Sequence, residues 1–229
     1  KKIYYKKILN LLIKIINIKI KYQKTFLKTN YKVPDYSLKK LLDESNLFLD
    51  WYLPKYVKRG KSRILKIKFN KIFKKLLNNI YYKNKVFVHR DFHISNLMIT
   101  KKGLGLIDSQ DAVYGNIAYD LASLIDDVRF KTDIKTKNYI FDEFIKKNKQ
   151  LNLKKFKNDF EILSVLRNLK IIGIFTRLSV RDKKNKYLKL IPHAWELIDY
   201  RTLNNPIFKD LNYLLSKNFD RKIRKSYEN

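Results

Sequence analysis

The stretch Val86 to Asn96 reads VFVHRDFHISN, and Asp108 follows twelve residues after Asn96. These residue types, at this spacing, could carry out phosphoryl transfer. That reaction needs little covalent help from a protein, because most of its catalysis is positioning and charge neutralisation. Asp91 is placed to orient a hydroxyl and accept its proton as the new bond to phosphorus forms. The Asn96 amide oxygen and the Asp108 carboxylate are hard ligands suited to Mg2+, which takes few protein ligands and keeps waters and substrate phosphates as the rest. Together they are the acceptor and metal parts of a kinase-type site.

The charge around this segment supports that chemistry. Leu104 to Val128 holds five aspartates (Asp108, Asp111, Asp120, Asp126 and Asp127) and no Lys or Arg, in a chain with 52 basic residues. An acidic island of this kind suits a divalent cation. Asp126 and Asp127 are expected to face solvent on a helix surface and to pair with Lys131 or another nearby base.

The elements that must position these groups follow from periodicity and turn residues. Val86 to Val88 reads as a short strand entering the loop His89 to Asn96. Leu97 to Thr100 and Leu104 to Ile107 read as two strands joined through Lys101-Lys102-Gly103. Such a hairpin returns the chain so that Asn96, just before its first strand, lies beside Asp108, just after its second. Residues 1 to about 84 read as helical, with breaks near Val33 and Pro34, at Pro54 and at Gly60. Ile8 to Ile20 is an amphipathic stretch too short and too charged to be a membrane span, and Ile64 to Ile80 is a second amphipathic helix. After a loop around Gly115, helices are expected over Ala118 to Phe130, with Asp120 in the first turn, then over Phe156 to Leu178 and Pro192 to Leu203. Trp51, Tyr52 and Trp195 are expected to pack in the core.

Composition narrows the class. With 229 residues and 45% hydrophobic content, the chain can bury a sizeable core. It has no cysteine, which removes disulfides, thiolate zinc sites and cysteine nucleophiles and fits a cytoplasmic protein. The formal charge of +31 raises the question of a nucleic-acid partner. The lysines are spread through nearly every segment, however, so the expectation is no nucleic acid, with Lys filling solvent-facing helix positions.

HRDFHISN followed by GLIDSQDAVYGNIAYDLASLIDD resembles the aminoglycoside phosphotransferase superfamily. Within it, the closest likeness is to the branch of anomeric N-acetylmuramate/N-acetylglucosamine kinases used in cell-wall sugar recycling. LFLDWYLPKY, ahead of the catalytic loop, and the block Leu166 to Trp195 are similar to that branch as well. The resemblance implies an α+β, mainly helical fold: the C-terminal lobe of a protein-kinase-like fold with a small catalytic β-hairpin. Residues 1–85 would form its helical part, 86–130 the catalytic and metal-binding segment, and 131–229 the C-terminal helices.

The resemblance also implies ATP and Mg2+ as cofactors and a small-molecule hydroxyl, that of an amino sugar, as acceptor. An aminoglycoside or other alcohol is the alternative substrate, and a non-catalytic binding protein built on the kinase fold is the alternative class. Asp91 then matches the catalytic aspartate, Asn96 and Asp108 the metal ligands, and Asp120 the aspartate that braces the catalytic loop. His89, Arg90 and His93 would support the loop. His93 could also approach a phosphate, and Arg90 could contact a phosphate instead of pairing with a carboxylate. Gln110, Asp111, Tyr114, Arg177 and Arg181 are candidates to meet a sugar, while His193 reads as a helix residue.

Two positions depart from the branch: Ser109 stands where an aromatic is usual, and Asn116 where proline is common. Residues 1–85 contain one glycine, Gly60, so the glycine-rich phosphate loop and strand-borne lysine of a complete member are missing. The expectation is a lobe whose N-terminal partner lies upstream, inactive by itself.

Overall fold

Long runs of helical periodicity, broken by short apolar or β-branched stretches, give a mainly helical chain with three small antiparallel ribbons among the described residues. The computed structural model describes residues 2–19, 22–24, 28–83, 85–101 and 103–227. Lys1, Ile20, Asn84 and Lys102, which bound or sit within expected elements, lie outside the described residues. In chain order the first elements are α1 (Lys2–Ile16), β1 (Tyr22–Lys24), β2 (Asn30–Lys32) and α2 (Leu38–Ser45). A π-helical turn (Phe48–Tyr52) then leads into α3 (Leu53–Tyr56) and α4 (Arg59–Asn78). The central elements are β3 (Val86–Val88), β4 (Leu97–Thr100), β5 (Gly103–Leu106), β6 (Val113–Gly115) and α5 (Tyr119–Ile125). The rest is α6 (Ile134–Lys147), α7 (Leu153–Asp182), α8 (Ile191–Thr202), α9 (Lys209–Asn218) and α10 (Arg221–Arg224).

The chain divides into two units, Lys1–Ser37 with Tyr81–Phe160 and Leu38–Ile80 with Glu161–Asn229. In the first, α1 buries Tyr5, Ile8, Leu9, Leu12 and Ile15 and packs against α6, β3 and β5. The β1–β2 ribbon lies where helix was expected. Pro34 holds Val33 out of the helical region and so blocks a helix through this segment. The chain beyond it hooks onto β6 instead: Tyr36 N donates to the Tyr114 carbonyl (2.7 Å), and Tyr114 N donates to the Pro34 carbonyl (2.9 Å).

The catalytic segment forms two separate ribbons rather than one sheet. β3 pairs with β6, Val86 opposite Gly115 and Val88 opposite Val113, so the expected loop around Gly115 is a strand. β4 pairs with β5 from Leu97–Leu106 to Thr100–Gly103. The second strand begins and ends one residue earlier than the sequence suggests, because Gly103 (φ 117°) adopts a backbone conformation open mainly to glycine and enters the ladder directly. The helix after Gly115 also stops early, at Ile125 instead of Phe130, for a reason that lies in the site itself.

In the second unit, α4 turns Ser62, Leu65, Phe69, Phe73, Leu76 and Leu77 inward, against α2 and α9. It starts five residues ahead of the expected Ile64. Gly60 lies inside its first turn, and Pro54 inside α3, so neither breaks a helix; a proline costs little where the N–H would be unpaired anyway. The π-helical turn stacks Phe48 and Tyr52 with Trp195 and Phe219 at centroid separations of 5.3–5.9 Å. Trp195 Nε1 donates to the Tyr52 hydroxyl (3.2 Å). Tyr52 and Trp195 are buried, whereas Trp51 is half-exposed. Gly173 of α7 lies directly against the Leu47–Phe48 peptide, leaving no room for a Cβ.

Candidate active site

The site grows from a single buried carboxylate. Asp120, in the first turn of α5 and 2% exposed, accepts hydrogen bonds from two consecutive backbone amides, His89 N (2.6 Å) and Arg90 N (2.9 Å). Arg90 adopts φ 75°, a left-handed conformation that costs a non-glycine residue on the order of 1 kcal/mol and recurs where local structure over-determines it. Consecutive N–H groups converging on one anion form a backbone nest. The chain is thereby turned out of β3 so that Asp91 begins the loop.

The loop then closes on itself. The Asp91 carbonyl accepts from His93 N (3.0 Å) and from Asn96 Nδ2 (3.0 Å), and Asn96 N donates to the His93 carbonyl (3.0 Å). With its amide nitrogen committed to the Asp91 carbonyl, half-buried Asn96 keeps its oxygen, the atom a cation would use, outside that bond. Ile107 N donates to the Asn96 carbonyl (3.1 Å), which extends the β4–β5 ladder by one bond at its open end. Asn96 and Asp108 are therefore neighbours across the hairpin mouth. Asp108 is exposed at φ 70°, a second left-handed residue in the segment, and its Oδ1 accepts from Gln110 Nε2 (2.7 Å). A half-buried amide oxygen beside an exposed carboxylate fits the needs of Mg2+, which prefers oxygen donors and keeps several waters.

The remaining candidates divide by location. Arg90 Nη1 donates to the Asp111 carbonyl (3.2 Å), lies 3.8 Å from the Asp111 carboxylate and stacks over the Tyr36 ring (5.3 Å). Gln110 and Asp111 thus border Asp108 and Arg90. Tyr114 is buried within β6, and its hydroxyl donates to the Ile18 carbonyl (3.4 Å). His89 and His93 are buried. Burial pushes the His89 imidazole below its usual pKa; the Ile107 carbonyl and the Asp91 and Asp108 carboxylates only partly oppose this, so the ring is neutral at pH 7. Arg177 and Arg181 belong to the second unit, on α7. Arg177 is half-buried, while exposed Arg181 is paired bidentately with Asp182 (2.7 and 3.0 Å). His193 is paired with Glu196 (2.9 Å) on α8.

Asp126 and Asp127 do not face solvent, contrary to expectation. Both are buried: Asp126 is paired with buried Lys137 of α6 (2.7 Å), and Asp127 caps the Arg129 amide (2.9 Å). The lysine comes from the next helix, not from the same surface. These two contacts turn the chain and explain why α5 ends at Ile125.

Sequence reasoning passed over one residue altogether. Asp159, fully buried near the start of α7, accepts from Tyr81 N (2.9 Å), Tyr82 N (2.8 Å) and Asn116 Nδ2 (2.8 Å). Asn116 also donates to the Tyr82 carbonyl (2.7 Å), and its oxygen accepts from Ala118 N (2.9 Å) at the entry to α5. The asparagine noted as a departure thus ties the approach to β3 to the start of the helix that carries Asp120. Asn116→Ala is expected to destabilise the protein by about 2 kcal/mol, since it strands buried polar partners. Urea unfolding measures this, and a change below about 0.5 kcal/mol would dismiss the tie.

Comparison with known proteins assigns the chain to a family. Residues 30–145, about half the chain, match the Phosphotransferase enzyme family; the chain belongs to that family. Its curated relatives include proteins named N-acetylmuramate/N-acetylglucosamine kinase. The one from Neisseria meningitidis serogroup B is 36% identical over 169 residues, covering 70% of this chain and 50% of that protein. Those from Pseudomonas aeruginosa and Pseudomonas putida are 28% and 27% identical, covering 80% and 88% of this chain and 56% and 61% of theirs. The chain therefore spans about half the length of the curated relatives it matches.

Proposed function

We propose that the protein containing this chain is an ATP-dependent kinase that phosphorylates the anomeric hydroxyl of N-acetylmuramate or N-acetylglucosamine, in cytoplasmic recycling of cell-wall sugars. The observation that carries the reading is the hairpin mouth, where Asn96 and Asp108 are neighbours beside a loop that begins at Asp91. The names of the relatives support the acceptor class.

In this reading Asn96 and Asp108 hold Mg2+, which when bound neutralises charge on the ATP phosphates. Asp91 orients the acceptor hydroxyl and takes its proton at a carboxylate oxygen. Asp120 holds the backbone from which Asp91 projects. Gln110, hydrogen-bonded to Asp108, steadies the carboxylate when no cation is present. Gln110, Asp111 and Tyr114 are proposed to shape the sugar site; for Tyr114 the contribution is structural, through its buried ring. Residues 1–85 contain a single glycine, Gly60, and so no glycine-rich phosphate loop, and residues 1–229 alone are proposed to bind ATP weakly and to turn over poorly. Among the described residues, no helix is long and apolar enough to cross a membrane.

The test uses the polypeptide at the length at which the cell makes it, with ATP, Mg2+ and a panel of amino sugars and aminoglycosides, following phosphate by phosphorus NMR. An anomeric sugar phosphate is expected from the N-acetylated sugars, with Asp91→Asn slowing it by about a thousandfold. Transfer to aminoglycosides alone, or an undiminished Asp91→Asn rate, would refute the proposal.

A further inference from the structure

The basic residues are not spread as evenly as composition implies. Trp51 to Arg90 is a run of forty residues with thirteen lysines and arginines and no acidic residue. Eight of these lie on α4. With Leu65, Phe69, Phe73, Leu76 and Leu77 turned inward, the helix presents its opposite side to solvent. At 100° per residue, Ile64, Ile67 and Lys71 fall at the centre of the outward arc. Arg63 and Lys74 flank them on one side, Lys68 and Lys75 on the other. Ile64 is 57% and Ile67 69% exposed. Lys66 is paired with Asp50 (2.9 Å) and Lys75 with Asp210 (3.0 Å), whereas Arg63, Lys68, Lys71 and Lys74 meet no carboxylate among the described residues. A groove of about 480 Å³ opens on the same side, lined in part by Asn46, Ile67, Asn70, Lys71 and Lys74.

We infer that the outward face of α4 docks on an anionic lipid surface. The charge requires a polyanionic partner, and the two isoleucines select among polyanions. A nucleic-acid backbone is gripped by Lys, Arg and small polar side chains and gains little from branched aliphatics at the centre of the contact. At a bilayer those side chains enter the boundary between headgroups and acyl chains, while the ring of lysines remains at phosphate level. The groove offers the amides of Asn46 and Asn70 and the ammonium groups of Lys71 and Lys74 to a headgroup phosphate, while the Asp50 carboxylate in its lining is paired with Lys66.

Sedimentation with vesicles of phosphatidylcholine and phosphatidylglycerol, against vesicles of phosphatidylcholine alone, tests the inference. The protein is expected to pellet only with the anionic vesicles, and less so as salt is raised. Each lysine near the surface changes partitioning by about fivefold, so the triple substitution Lys68→Gln, Lys71→Gln, Lys74→Gln should lower it by about a hundredfold. Ile64→Gln with Ile67→Gln should lower it by about tenfold or more. All five positions are exposed, and an unchanged circular dichroism spectrum verifies that the variants fold. Protein that stays in the supernatant, or a lysine variant that binds undiminished, would overturn the inference. So would isoleucine variants that bind normally while duplex DNA displaces the vesicles, since the face would then be a nucleic-acid surface.

Discussion

Asp120→Ala is expected to lower the stability of the protein by about 3 kcal/mol and to release the catalytic loop from its turn. The buried amide of His89 and the part-buried amide of Arg90 would lose the carboxylate that accepts from both. Hydrogen bonds to a charged acceptor contribute about 1.5–3 kcal/mol each, and a stranded buried donor bears its full desolvation penalty. The left-handed Arg90 conformation would lose its reason to persist. Asp120→Asn separates shape from charge: its oxygen can serve one amide, but its NH2 group then faces the other donor, so most of the loss should remain. Amide hydrogen exchange gives the local readout. His89 and Arg90 should be among the protected amides in the wild type and exchange much faster in both variants, beyond what the fall in global stability explains. Equal protection in Asp120→Ala would show that the carboxylate does not hold the loop.

Gly173→Ala is the second large effect, and its sign runs against intuition. In the middle of a helix, alanine is ordinarily favoured over glycine by about 1 kcal/mol. At Gly173 a Cβ would come well within 3.0 Å of the Leu47 carbonyl and the Phe48 nitrogen. These are backbone atoms, so no rotamer change relieves the overlap. The whole π-helical turn would have to move, and with it the ring cluster of Phe48, Tyr52, Trp195 and Phe219. Overpacking typically costs 1–3 kcal/mol, and a clash with backbone lies at the upper end, so a net loss of about 2 kcal/mol is expected once the alanine preference is subtracted. Thermal unfolding, followed by the near-ultraviolet signal of Trp195, would show it as a shift of several degrees. A variant as stable as the wild type would mean that α7 and the turn are not packed backbone to backbone.

The parts of the site that could be read from sequence are those encoded locally. The β4–β5 hairpin follows from two apolar runs around a glycine turn, and it makes neighbours of Asn96 and Asp108 with only eight residues between Leu97 and Leu106. What could not be read depends on partners distant along the chain. β6 is three residues long, and its partner β3 lies some 27 residues earlier, so Val113–Gly115 looks like loop. Asp126 reads as a surface charge until Lys137 arrives from α6 to pair with it. Asn116 registers as an odd substitution, but its meaning lies in Asp159, 43 residues on. The β1–β2 ribbon sits in a Lys-rich stretch ahead of the break read at Val33 and Pro34, and what distinguishes it from helix is the pairing of Tyr22–Lys24 with Asn30–Lys32.

All of these elements converge on the claim that Asn96 and Asp108 form a divalent-cation site at the hairpin mouth. Titrating 15N-labelled protein with Mn2+ in place of Mg2+ tests it most directly, because paramagnetic broadening locates even a weakly held ion. The amide signals of Asn96, Leu97, Asp108 and Ser109 should broaden first, and Asp108→Asn should abolish that selectivity. If those signals stayed sharp while others, such as those around Asp142 and Glu143, broadened instead, the hairpin mouth would not be the metal site.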